Sequence, residues 1–225
     1  MFCLRSAVYS LAGQPIDSTT PLKPFNRQEA RRKIFDAIIA RLPVSAIVET
    51  GAFLGETTAY MARKANRPVF SVEVDWAICA ATRRRLQNFS SISVSEGDSR
   101  AFLESLASSG RAGTLPFFYL DAHWYRSLPL LGELKLIGKE WAQAVIMVDD
   151  FQVDDDPGYC FDDYGKWGVL SRSYIRPVVE EFSLACFYPA APSSMETGGR
   201  RGCIVLAVGS VTNAELEQIP ELRRV

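Results

Sequence analysis

Ile47-Val48-Glu49-Thr50-Gly51-Ala52-Phe53-Leu54-Gly55-Glu56-Thr57-Thr58 decides how the rest of the chain is read. Residues 44–48 form a short apolar run rich in β-branched side chains, which predicts a buried strand. Gly51 and Gly55 then punctuate a turn, and residues 57–64 read as a helix. Strand, glycine turn and helix open a doubly wound α/β sheet, where ligands sit beyond the carboxyl ends of the strands. The glycines are expected to let the backbone approach a ligand and to supply positive φ. The spacing is Glu-x-Gly-x-x-x-Gly, not the Gly-x-Gly-x-x-Gly of dinucleotide sites. Two glycines alone would also fit an ordinary strand-to-helix turn.

A second strand is predicted over residues 68–74, and it carries an acid, Glu73, 24 residues after Glu49. That is close to the interval of about 20 residues at which an acid in this fold reaches ribose hydroxyls. A carboxylate suits two adjacent hydroxyls because it accepts from both. Gly97-Asp98-Ser99 follows a third strand, residues 92–95.

At these residues the chain resembles the class I S-adenosylmethionine (SAM)-dependent methyltransferases. Glu-x-Gly-Ala-aromatic-x-Gly followed by Val-Glu-Val-Asp is similar to the catechol-type and macrocin-type O-methyltransferases. The usual central glycine of the loop is Phe53 here, a departure this group shares. The resemblance covers roughly residues 44–150. It implies an α/β fold: a Rossmann-like doubly wound sheet of seven strands, mostly parallel with an antiparallel last strand, and helices on both faces. It implies SAM as cofactor, held by Glu49, Gly51, Ala52, Phe53, Gly55, Thr57, Glu73, Val74, Asp98, Ser99 and Asp121. The implied reaction is O-methylation of a small-molecule acceptor.

The remaining chain fits that frame. Residues 1–26 carry several prolines and read as an irregular arm over the active site, against a partner subunit, or simply a poorly ordered terminus. An arm of that kind is compatible with a homo-oligomer. Residues 27–225 are expected to be one domain. Asn26 with Glu29 suggests a capped helix over residues 27–41, ended by Pro43. Helices are also expected over 76–88, 99–106 and 128–141. In the first of these, Arg83-Arg84-Arg85 reads as a solvated surface rather than a basic patch. Strands are expected over 116–120 and 144–148. Residues 151–168 form a long loop rich in acids and aromatics, of the kind that covers an active site. Residues 169–182 read as a helix broken at Pro177. Strands at 183–188 and 203–208, joined by a Pro/Ser/Gly arm at 189–202, suggest an antiparallel final hairpin.

Composition bounds the partners. The 225-residue chain is long enough to bury a full core, and its net charge of −1 gives no electrostatic case for nucleic acid or an anionic membrane. Its five cysteines have no paired spacing, which argues for reduced thiols in a cytoplasmic setting and against zinc. No apolar run reaches the roughly 18 residues of a membrane span.

Asp121, Asp149 and Asp150 lie at the ends of predicted strands. Three carboxylates converging there would call for a hard cation, and Mg²⁺ with oxygen ligands is the natural occupant. Capping or solvation of Asp149 and Asp150 is the alternative. The resemblance adds that Leu120-Asp121-Ala122-His123-Trp124 is similar to a Leu-Asp-His-Trp segment with Ala122 inserted, and Asp149-Asp150 to a second metal-binding pair. The insertion leaves the family's lysine base without a counterpart, and Arg126 is too weak a base to replace it. His123, the only histidine, and Asp121 are therefore the candidate catalytic groups. N-methylation, a cephalosporin-hydroxylase-like oxygenase reaction and a non-catalytic SAM-binding role remain as alternatives on the same fold.

Overall fold

The computed structural model describes residues 15–17, 19–123 and 128–225. Most of the N-terminal arm, Cys3, Trp124 and Arg126 lie outside the described residues. The elements in chain order begin with α1 (Glu29–Arg41), β1 (Ile47–Thr50), α2 (Glu56–Ala65), β2 (Val69–Glu73) and α3 (Trp76–Arg85). Next come β3 (Ile92–Glu96), α4 (Ser99–Ser109), β4 (Phe117–Leu120), α5 (Leu130–Glu140) and β5 (Ala144–Val148). The chain ends in α6 (Arg172–Glu181), β6 (Ala185–Pro189), β7 (Ile204–Val208), α7 (Ser210–Leu216) and β8 (Leu222–Arg224).

The strands form one sheet in the order β3-β2-β1-β4-β5-β7-β6-β8. β1 to β5 pair in parallel, and β7 runs antiparallel to both β5 and β6. The central strands β1, β4, β5 and β7 are buried along their whole length, which is why β4, β5 and β7 read as continuous apolar runs without alternation. Alternate residues nevertheless serve opposite faces. Val48, Phe118, Leu120, Ile146 and Val148 pack with α4, α5 and α6. Ile47, Phe117, Tyr119, Val145 and Met147 pack with α1, α2 and α7.

Three expectations are corrected. The sheet has eight strands among the described residues, not seven, because β8 adds to β6 at the edge. At three residues it is too short to leave a periodic signal. Residues 172–181 run through Pro177 as one helix: the proline stands inside α6 and removes one bond of its ladder without ending it, the apolar face with Ile175 and Val178 staying buried.

The third correction concerns α1. Asn26 does not cap it: Phe25, Asn26 and Arg27 turn left-handed at φ 51°, 55° and 64°, and the helix begins at Glu29. Its first N–H groups are satisfied from the arm at 189–202. Glu196 accepts from the Ala30 and Arg31 amides at 2.9 and 3.1 Å, and the Thr197 hydroxyl accepts from the Glu29 amide at 3.0 Å. A carboxylate at this end also meets the favourable pole of the helix dipole. The left-handed turn drives Phe25 into the core, its ring edge-on to Tyr119 at 5.3 Å.

No helix among the described residues is long and apolar enough to cross a membrane. Cys79, Cys160, Cys186 and Cys203 are unpaired.

Candidate cofactor and acceptor site

β1 and β4 are neighbours, but the chain leaves them toward opposite sides of the sheet. The crevice at this switch point lies between residues 51–55 and 121–123. Gly51 stands at φ 89°, and a Cβ there would lie 2.5 Å from the Asp121 carbonyl oxygen. Its amide and that of Ala52 donate to the Val72 carbonyl at 2.9 and 3.1 Å. The close approach expected toward a ligand is therefore, at Gly51, an approach of one strand end to the next. At Gly55, at φ 76°, it is an approach to the C-terminal end of α3, where a Cβ would meet Leu86 at 2.8 Å.

Glu73 organises the mouth of the crevice. Its two carboxylate oxygens accept from the Phe53 and Asp75 amides, each at 3.0 Å. A carboxylate oxygen has two acceptor sites, so each retains one. Around it stand three large apolar side chains with no cover: Phe53 at 49%, Val74 at 73% and Trp76 at 64% exposure. Phe53 holds a left-handed φ of 43°, fixed by its amide on Glu73 and by the Thr82 hydroxyl on its carbonyl. Arg85 is buried and donates to the Leu54 carbonyl at 2.6 Å. Of the run 83–85, then, only Arg83 and Arg84 are the solvated residues expected.

Other residues of the expected cofactor set hold the loop from behind. Glu49 is buried, taking the Thr58 and Ser71 hydroxyls at 2.6 and 2.5 Å. Burial pushes its carboxyl up to about 7 against the pull of those hydroxyls. The Thr57 hydroxyl accepts the Phe25 amide at 3.0 Å, which turns it toward the N-terminal segment. Asp98 caps α4 through the Arg100 and Ala101 amides and pairs with Arg100, whose hydrogen bonds hold its carboxyl below the usual range. Ser99 is buried.

The three aspartates do not share one centre. Asp149 is fully buried and paired with Arg31 of α1, and it takes the Tyr119 hydroxyl and the Asp150 amide. Asp150, at a left-handed φ of 54°, accepts from Arg201 Nε at 2.6 Å. The same guanidinium also pairs with Asp162 of the long loop. Asp121 alone keeps no ion-pair partner among the described residues. Burial, then the charge of Asp150, raises its carboxyl well above the ordinary carboxylate range, with Arg31 opposing. No group of three His, Cys, Asp or Glu side chains among the described residues is arranged to hold a metal ion. The donor set thus does not fit the Mg²⁺ that the resemblance implied, because two of its three carboxylates are already compensated by arginines.

His123 is buried, and neither ring nitrogen has a hydrogen-bond partner among the described residues. Burial pushes its pKa down to about 4, so near neutral pH it is uncharged. Its carbonyl accepts the Tyr164 hydroxyl at 2.9 Å, which ties the long loop to the end of β4.

With this geometry in place, comparison with solved structures is decisive for the fold. The chain superposes on a Klebsiella pneumoniae protein assigned as an O-methyltransferase, with a TM-score of 0.58 and 19% identity over 91% of this chain and 87% of that one. The fold is that of the class I methyltransferases. A Bacillus cereus O-methyltransferase in complex with S-adenosylhomocysteine (SAH) matches with a TM-score of 0.56 and 15% identity, over 90% of this chain and 89% of that one. The Streptomyces achromogenes O-methyltransferase TomG, involved in tomaymycin synthesis and in complex with SAM, matches at 0.54 and 18% identity, over 80% of each chain. No protein-family profile and no curated protein matches the chain in sequence.

Within this fold, several side chains near the crevice carry no sequence signal. Arg31 and Arg201 sit in runs of basic residues that read as ordinary surface. Trp76 reads as the first residue of a helix and no more. Glu133 of α5 is the plainest case: it is fully buried near the end of β1, facing the Ser99 and Thr50 hydroxyls. Burial pushes its carboxyl up to about 7, with the Ser99 and Thr50 hydroxyls opposing. A carboxyl raised from 4.5 binds its proton more tightly in the folded state, so its contribution falls as pH climbs through that window. Glu133→Gln is therefore expected to gain about 2–3 kcal/mol on wild type between pH 5 and pH 8. Urea melts at the two pH values measure the gain, and a difference independent of pH would refute it.

Proposed function

We propose that the chain is a SAM-dependent methyltransferase acting on a hydroxyl of a small molecule. The observation that carries this reading is the mouth of the crevice: a carboxylate, Glu73, with one free acceptor site on each oxygen, ringed by exposed Phe53, Val74 and Trp76. A ribose diol beside a flat adenine asks for that combination of acceptor pair and apolar cover. The O-methyltransferases among the structural neighbours, two of them with SAM or SAH, support the same conclusion.

SAM supplies an electrophilic methyl group on its sulfonium. The chain's own residues bind, orient and take up a proton. Glu73 fixes the ribose, and Phe53, Val74 and Trp76 cover the base. Asp121 is the favoured proton acceptor of the two candidates, since burial raises the proton affinity of its carboxyl and lowers that of His123. Tyr164 and the half-exposed Trp167 of the long loop line the acceptor side. Holding the hydroxyl in line with the methyl is the main task, and orientation of this kind is worth about 7–11 kcal/mol. A small, uncharged acceptor suits a chain of near-neutral net charge.

Calorimetric titration of SAH into the full chain tests the proposal. One site per chain is expected, with affinity lowered at least about tenfold in Glu73→Ala, the loss of a charge-assisted bond pair. An absence of SAH binding to wild-type protein would remove the basis for this function.

A further inference from the structure

Two arginines occupy the acidic edge where the resemblance placed a cation. Arg31 is fully buried against Asp149. Arg201 is held with equal care although it comes from a loop arm. Its amide donates to Gln28 Oε1 at 3.1 Å, and its carbonyl accepts Gln28 Nε2 at 2.7 Å. Arg31 also donates to the Arg201 and Gly202 carbonyls, to the latter at 2.8 Å. A bridge from Cys160 to Arg201, with the Gly202 amide on the Cys160 carbonyl at 2.8 Å, fixes the arm against the long loop. The side chain is thereby aimed back at the strand end, where Nε meets Asp150 and Nη2 meets Asp162. Those two acids are themselves joined, the Asp162 amide donating to the Asp150 carbonyl at 2.9 Å.

We infer that Arg201 stands where a divalent cation would otherwise be needed: its guanidinium gathers Asp150 and Asp162 at the carboxyl edge, so the site works without a bound divalent metal. The chemistry is consistent. A guanidinium keeps its charge at every physiological pH and does not dissociate as an ion does. It has five N–H donors, of which two serve the aspartates, so others remain for an acceptor oxygen. Burial works against its charge, and the hydrogen bonds and charges of Asp150 and Asp162 outweigh it, raising its pKa further. Arg201 is in this sense a positioning residue for the acceptor, an assignment that rests on the methyltransferase reading above.

Mn²⁺ binding to the full chain, followed by electron paramagnetic resonance, is the test, with SAH titration run in parallel. Wild-type protein is expected to bind no Mn²⁺ at the site up to millimolar concentration. Arg201→Met is expected to gain one Mn²⁺ per chain, as Asp150, Asp162 and the neighbouring Asp121 lose their competitor, and to lose it again when Asp150→Asn is added. One Mn²⁺ per wild-type chain that disappears in Asp150→Asn would overturn the inference, whether or not the Arg201 variant folds. So would an Arg201→Met protein that keeps its SAH affinity yet binds no Mn²⁺. Failure of wild-type protein to bind SAH would instead strike the function proposed above and leave the Mn²⁺ result standing.

Discussion

Arg31→Met is expected to cost the fold about 3–5 kcal/mol, because it strands the fully buried Asp149 without its countercharge. The loss has several parts that point the same way. The Asp149 carboxylate keeps only the Tyr119 hydroxyl and the Asp150 amide, too little for a charge with no contact to water. The Arg201 and Gly202 carbonyls lose a buried donor at the same moment. The anchor between α1 and the end of β5 goes with them. Asp149→Asn in the same background removes the stranded charge and is expected to recover much of the deficit, giving a coupling energy well above 1 kcal/mol in the double-mutant cycle. Urea denaturation of the four proteins measures it. Additive losses would mean that the two residues do not act as a pair.

Gly51→Ala is the second large effect, expected at about 2–5 kcal/mol. A φ of 89° is strained for any residue with a Cβ, at about 1–2 kcal/mol. The new carbon would also lie 2.5 Å from the Asp121 carbonyl oxygen and 2.8 Å from its carbon. These are backbone atoms at the end of a central strand, so relief requires moving β4, and overpacking adds about 1–3 kcal/mol. Gly55→Ala is the control. It has a similar φ of 76°, but its Cβ would meet the end of the Leu86 side chain, which can rotate away. Thermal or urea melts should rank Gly51→Ala as clearly the more damaging, and SAH affinity should fall with it, since Asp121 moves too. Equal losses at the two glycines would show that the close contact at β4 is not what matters.

Much of the frame was legible from local signals. Central strands buried on both faces must be continuous apolar runs, so residues 117–120, 144–148 and 204–208 announced themselves. Acids at strand ends stood out against those runs, and Glu73 stands at the mouth of the crevice. The extra strand β8 was hidden by its length, and the start of α1 by a cap supplied from residues 196 and 197.

By itself, then, the sequence determined the α/β layering, the positions of the first strands and the glycine turn with its carboxylate. Each depends on neighbours a few residues apart, whose spacing sets which face of a helix or strand they occupy. Only the tertiary structure decided what the acids do. Asp149 meets an arginine from the first helix, and Asp150 meets one 51 residues away on an arm without periodic pattern. A charge's partner is chosen by the folded path of the chain and by the dry space it must share. Nothing in the spacing of Asp121, Asp149 and Asp150 distinguishes carboxylates waiting for a metal from carboxylates already answered by Arg31 and Arg201.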